Sequence, residues 1–267
     1  MSYQGTSRKM KVTLGDSVQY SLRLGETEVP LNAYLGQAIS LKFTGEIHCI
    51  SCGRKTNKSF AQGFCFPCMR DGAENSECII RPELCRGHLG EGRDVEWEQR
   101  NHVQPHTVYL AVSSAVKVGV TRLTQVPTRW IDQGASMARV IAQTPHRCAA
   151  GELEVALKSA FTDRTSWQKM LKNDVLYLND WAPSLEAAKN ACPDDLVQYW
   201  DDTSEPTQIN YPVLEYPEKV KSLSFDKLDL VEGTLLGIKG QYLLFDENRV
   251  LNIRKHNGYG LRFEALG

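Results

Sequence analysis

The chain lacks any apolar run approaching the roughly 20 residues that a membrane-spanning helix needs, and its start, MSYQGTSRKMKV, lacks the apolar core of a signal peptide. The first absence argues against helical membrane insertion, and the second leaves the cytoplasm as the expected location. Internal repeats and low-complexity segments are missing too, which argues against solenoid and fibrous architectures. So is any charge excess: 31 Lys+Arg against 32 Asp+Glu leave a net charge of −1. With 42% hydrophobic residues in 267, nothing suggests bulk disorder, and the chain is long enough for one to three compact units.

The near-zero sum hides a division along the chain. From His106 to Arg147 the bases Lys117, Arg122, Arg129, Arg139 and Arg147 face one acid, Asp132, a local balance of +4. From Asp174 to Glu232 the balance is −9. A basic segment in a near-neutral protein points to a phosphate-bearing partner. The plainer alternative is that the two segments face each other.

Among the 8 cysteines, four stand in C-x-x-C pairs, Cys49/Cys52 and Cys65/Cys68. In a reducing compartment this spacing suggests two knuckles that share one ion, a closed four-thiolate zinc site of structural type. A redox dithiol pair or unrelated thiols are the alternatives. Gly53 follows the first knuckle, where a positive φ is often wanted. Cys78 and Cys85, with His88 and His102 downstream, are candidates for a second zinc site, although their spacing matches no knuckle. Cys148 and Cys192 stand alone and read as ordinary thiols.

Coarse periodicity divides the chain into four units of an α+β protein. Residues 1–48 alternate in VQYSLRL and AISLKFTGEI and read as an antiparallel β unit, a scaffold without evident chemistry. Residues 49–104 are a zinc ribbon and a polar connecting loop, GHLGEGRDVEWEQRNHVQPH, that lacks periodicity. Residues 105–200 hold a hairpin of Val108 to Val112 and Val116 to Val120, then helices. The first of these opens near Pro127, another is amphipathic through Leu153, Leu157 and Phe161, a third starts at Thr165 or Ser166, and a fourth is interrupted by Pro193. Residues 205–267 form a second β unit, through YPVLEY, GTLLGIKGQYLLF, RVLNIR and YGLRFEAL, which is expected to pair with the first because chain ends often lie together.

The segment 107–173 resembles the GIY-YIG nuclease superfamily, whose core is a hairpin bearing two tripeptides, a helix bearing an arginine and a later helix bearing a glutamate. Val108-Tyr109-Leu110 falls near the first tripeptide and Lys117-Val118-Gly119 takes the place of the second, with Thr121 beyond it. Lysine replaces the usual tyrosine, as in some divergent members. Arg129 corresponds to the helix arginine, Glu154 (or Glu152) to the metal-binding glutamate, and Asn173 to a late asparagine. With its ribbon, PELC segment and GIKGQY ending, the whole chain also resembles an uncharacterised prokaryotic family built around such a core.

The resemblance implies phosphodiester hydrolysis in one in-line step. Arg129 would stabilise charge on the equatorial oxygens, Glu154 would hold one Mg²⁺ or Mn²⁺, and Tyr109 would deprotonate or orient water beside the Lys117 cation. Lys117, Arg122, Arg129 and Arg139 are the expected DNA or RNA contacts. Plainer readings exist for each: Tyr109 as a core aromatic, Arg129 paired with Asp132, Glu154 in a surface pair with Lys158. Three functions therefore stand at this point: a metal-dependent nuclease, a catalytically silent DNA- or RNA-binding module, and a scaffold that docks a protein partner through the ribbon and the acidic 174–232 segment.

Overall fold

The computed structural model describes residues 2–164, 166–201 and 203–266. It is a mixed α+β protein with two sheets, mainly antiparallel. The alternating amino-terminal segment forms β1 (Ser2–Thr13), β2 (Gln19–Leu24), β3 (Thr27–Pro30) and β4 (Ala38–His48). The cysteine-rich region carries only β5 (Lys55–Thr56), α1 (Phe66–Asp71) and α2 (Val95–His102), besides short 3-10 turns. The central region runs β6 (His106–Val112), β7 (Val116–Arg122), α3 (Thr128–Asp132), β8 (Met137–Thr144) and α4 (Arg147–Leu157). Then come α5 (Trp167–Leu171), α6 (Ala182–Ala191) and β9 (Thr207–Gln208), and finally β10 (Lys221–Leu223), β11 (Leu230–Lys239), β12 (Tyr242–Phe245), β13 (Arg249–Asn252) and β14 (Tyr259–Leu266).

The two terminal β segments share one sheet, in the order β10-β13-β12-β11-β4-β14-β1-β2-β3 with β5 beside β4. Two long strands turn its corners. β1 pairs with β14 over Ser2–Thr6 and with β2 from Ser7, while β11 pairs with β4 up to Thr234 and with β12 from Leu235. Gly240, at φ +63°, supplies the left-handed residue of the two-residue turn between β11 and β12.

The smaller sheet, β7-β6-β8-β9, is covered on both sides. Alternation along β6 sends Tyr109 and Ala111 into the large core shared with the first sheet, and Val108, Leu110 and Val112 into a second core under α4 and α6. Burial on both faces explains why β6 reads as a nearly continuous apolar run. Gln241, buried, ties the large sheet to α3: its side-chain carbonyl oxygen accepts from Met10 N at 2.7 Å and its amide donates to Asp132 Oδ1 at 2.8 Å.

Several local expectations are revised. The polar stretch taken as a connecting loop contains α2, capped by Asp94, whose Oδ1 accepts from Trp97 N at 3.0 Å. Its inward face carries Glu98 and His102 rather than apolar residues, so hydrophobic periodicity could not reveal it. α3 begins at Thr128, one residue after Pro127, which follows a cis peptide bond. α4 ends at Leu157, leaving Phe161 beyond it. α5 is capped by Ser166, whose Oγ accepts from Lys169 N, and Thr165 lies outside the described residues. YPVLEY forms no strand, only a bridge between Val213 and Gly237.

Candidate functional site

β6 and β7 are in register with Tyr109 opposite Gly119 and Ala111 opposite Lys117, so these side chains share the sheet face turned away from α4. A Cβ on Gly119 would come within 2.7 Å of the Tyr109 phenol oxygen; glycine is needed there because the ring lies across the neighbouring strand. Tyr109 donates to Gln133 Oε1 at 2.9 Å. Its burial raises the phenol pKa, and the nearby Arg129 charge opposes that rise only in part. Tyr109 is thus a protonated, oriented hydroxyl and not a ready base.

Arg129 projects from α3 into a cleft of about 900 Å³ that Tyr109, Gly119, Thr121, Gln133 and Glu154 also line. The pairing of Arg129 with Asp132 does not form. Asp132 instead accepts from Lys9 Nζ at 2.8 Å and from Gln241. Glu154 is 12% exposed in its side chain and 3.8 Å from Lys158 Nζ, which also lies 3.2 Å from Asp163. Burial raises the Glu154 pKa, opposed by the Lys158 charge. Lys158 thus stands between the two carboxylates of Glu154 and Asp163 at the edge of the cleft.

Lys117 and Arg139, expected to touch nucleic acid, are not among the residues that line the cleft. Lys117 is buried, 6% exposed, and close enough to Arg129 for burial and that neighbouring charge to lower its pKa to about 8. Arg139 pairs with Leu110 across β6 and β8, on the sheet face opposite Tyr109. Asn173 does not line the cleft either; its side-chain oxygen accepts from the buried Lys239 at 2.9 Å. Arg122 does line it, with Nη1 on Asn101 Oδ1 at 3.0 Å.

Sequence reading missed most of the cleft. Eight lysines and arginines line it against four acids: Arg8, Lys9, Arg23, Arg122, Arg129, Arg147, Lys158 and Arg254 against Glu74, Asp132, Glu154 and Asp163. The amino-terminal sheet, expected to be only a scaffold, contributes three of these bases. Arg8 and Arg23 stand directly opposite across β1 and β2, an arrangement of like charges that costs stability in the absence of an anion. Among the described residues only Lys9 and Lys158 of the eight pair with a carboxylate. Burial and the Arg129 charge lower the Arg254 pKa. No described residue of the acidic 174–232 segment lines the cleft, so the acids do not neutralise it by facing it.

Two groups that could hold a metal ion flank this cleft. Cys49, Cys52, Cys65 and Cys68 bring their sulfurs within 4.8 Å of one another, and Cys52 Sγ and Cys65 Sγ are 3.8 Å apart. That matches the separation of about 3.8 Å between thiolates of a tetrahedral site with metal–sulfur bonds of about 2.3 Å. Gly53, at φ +72°, closes the first knuckle by donating its N–H to the Cys49 carbonyl at 2.9 Å. The second group is Cys78, Cys85, Glu98 and His102, all buried. His88, expected to belong to it, instead stacks on His146 with ring centroids 4.3 Å apart.

No helix among the described residues is long and apolar enough to cross a membrane. No curated protein and no solved structure matches the chain. Residues 36–261, which take in both metal-competent groups and most of the cleft, match the family described as DUF2797, protein of unknown function. The chain therefore belongs to the DUF2797 family.

Proposed function

We propose that the protein binds DNA or RNA in the basic cleft and hydrolyses a phosphodiester there with one divalent ion, through a divergent GIY-YIG-like core braced by a structural zinc at Cys49, Cys52, Cys65 and Cys68. The observation that carries this reading is the set of six cleft bases without a carboxylate partner among the described residues, Arg129 among them, on a surface that Tyr109 and Glu154 also line. Cations whose charge no carboxylate neutralises are stabilised when a phosphate backbone lies among them. The order hairpin, short helix with Arg129 and later helix with Glu154 supports the GIY-YIG-like reading; the strand β8 lies between the two helices.

In this reading the Arg129 guanidinium hydrogen-bonds two phosphoryl oxygens and holds the charge that grows on them as the phosphorus becomes five-coordinate. Tyr109, held by Gln133, keeps lone pairs to accept a hydrogen bond from the attacking water and aim it in line. The water oxygen bonds to phosphorus as the bond to the leaving oxygen breaks, and the water proton passes to solvent. Glu154 would hold the Mg²⁺ or Mn²⁺, which when bound supplies charge neutralisation at the leaving oxygen.

Metal-replete protein incubated with structured and single-stranded DNA and RNA, with Mg²⁺ or Mn²⁺, tests the proposal. Cleavage should fall about 100-fold or more in Arg129→Ala, the scale of losing one preorganised charge donor, and similarly in Glu154→Ala. No cleavage by the wild type, or equal cleavage by the variants, would sink it. One observation favours a second reading, a silent binding module: Lys158 already bridges Glu154 and Asp163, and Lys117 replaces a tyrosine. That module would bind nucleic acid with strong salt dependence and no turnover, and Arg129→Ala would weaken it more than Glu154→Ala.

A further inference from the structure

The stretch from Ala73 to Arg93 contains no helix or strand beyond isolated 3-10 turns, yet it forms one wall of the cleft through Ile79, Ile80 and Pro82. A segment this long without regular backbone hydrogen bonding needs another device to hold it in a compact protein. Its buried groups are unusual for that purpose. Cys78 is 7% exposed, Cys85 3%, Glu98 2% and His102 3%, so a carboxylate, an imidazole and two thiols share one dry spot. Without a cation, placing them together is unfavourable.

Their geometry converges on His102 Nδ1. Cys85 Sγ lies 3.4 Å from it and Cys78 Sγ 3.8 Å, and Glu98 Oε2 contacts the same nitrogen. Cys78 Sγ is 4.0 Å from that oxygen. A tetrahedral ion with bonds of about 2.3 Å to sulfur and about 2.0 Å to nitrogen holds those two atoms about 3.5 Å apart. The surroundings are built to let the ligands meet: a Cβ on Gly92 would strike Glu98 Cγ at 2.5 Å, and Glu98 and His102 are one turn apart on α2. Cys148 lies in the same buried cluster but its thiol goes to the Glu83 carbonyl at 3.4 Å.

We propose that Cys78, Cys85, Glu98 and His102 form a second structural zinc site that fastens the Ala73–Arg93 wall to α2. Two thiolates, an imidazole and a carboxylate suit a borderline-soft ion such as Zn²⁺, and four protein ligands leave no open position for catalysis. Arg147 completes the clasp from α4, donating to the Cys78 and Ile79 carbonyls at 2.9 Å each. Trp97 packs edge-on against His102, ring centroids 5.0 Å apart, and faces the cleft. The site thereby sets the position of a cleft-lining aromatic. It stands whether or not the cleft hydrolyses anything.

Metal content of the full-length protein decides the matter. Wild type should carry two zinc ions per chain, and Co²⁺ titration of apoprotein should show two components, one with four-thiolate and one with two-thiolate charge-transfer bands. Cys85→Ser and Glu98→Gln should lose the two-thiolate component and retain the four-thiolate one, whereas His88→Ala should keep both. A wild type that shows the two-thiolate component alone would count against the ribbon zinc and support this site. A wild type with the four-thiolate component alone would overturn the proposal, and so would loss of an ion in His88→Ala with two retained in Glu98→Gln. Should Cys85→Ser fail to fold, the two-component titration of the wild type still decides.

Discussion

Lys117 is the residue whose placement departs furthest from its expected role. No described residue accepts a hydrogen bond from its ammonium, and it sits buried near a second cation. A fall from the ordinary 10.5 to about 8 corresponds to roughly 3 kcal/mol held against the charged form. The sign follows from proton counting: between about pH 8 and 10.5 the unfolded chain binds a proton that the folded chain does not, so stability rises with pH across that window and the full cost is present below it. Lys117→Met should therefore stabilise the protein at pH 7 by up to roughly 3 kcal/mol, with the gain fading by pH 10.5. Urea unfolding at both pH values measures this, and an equal gain at each would show that burial of the charge is not the cause. Gly119 shows the opposite case, a residue legible in the tripeptide pattern whose physical reason, room for the Tyr109 ring, required the strand register.

α2 illustrates what limits reading at the level of elements. The amphipathic α4 and the apolar β6 and β7 announce themselves because their buried faces are apolar. The buried face of α2 is polar, Glu98 and His102, so only Asp94, as a capping residue, marked its start. Asp94→Ala should cost about 1 kcal/mol of stability and raise amide hydrogen exchange in Val95–His102. Unchanged protection there would mean that the packing around His102, and not the cap, holds the helix. The cysteine knuckles were legible from spacing alone, because chelation by C-x-x-C is a local geometric property. The second group was legible in three of its four members; Glu98 was not, since nothing in a local pattern shows which nearby side chain turns inward.

Over the whole molecule, the cleft exists because the sheet built from both ends of the chain closes over the central core. Arg23 on β2 and Arg254 near β14 come from opposite ends of the sequence and line the same surface as Arg129. Arg23→Ala and Arg254→Ala should each weaken binding to DNA or RNA and lower the slope of log affinity against log salt by about 1. A slope unchanged in both, measured by fluorescence anisotropy across a salt series, would mean that phosphates do not reach that side. The sequence by itself determined the four-cysteine group, the α+β class, the hairpin and the candidates Tyr109, Arg129 and Glu154, because knuckle spacing, hydrophobic periodicity and a tripeptide pattern are carried by neighbouring residues. Only the tertiary structure decided that Lys117 and Arg139 leave the cleft, that Glu98 replaces His88, and that Arg8, Arg23 and Arg254 join the surface. Those outcomes depend on strand register, on the face each strand turns inward, and on pairing between segments more than 200 residues apart, such as Ser2 opposite Glu264.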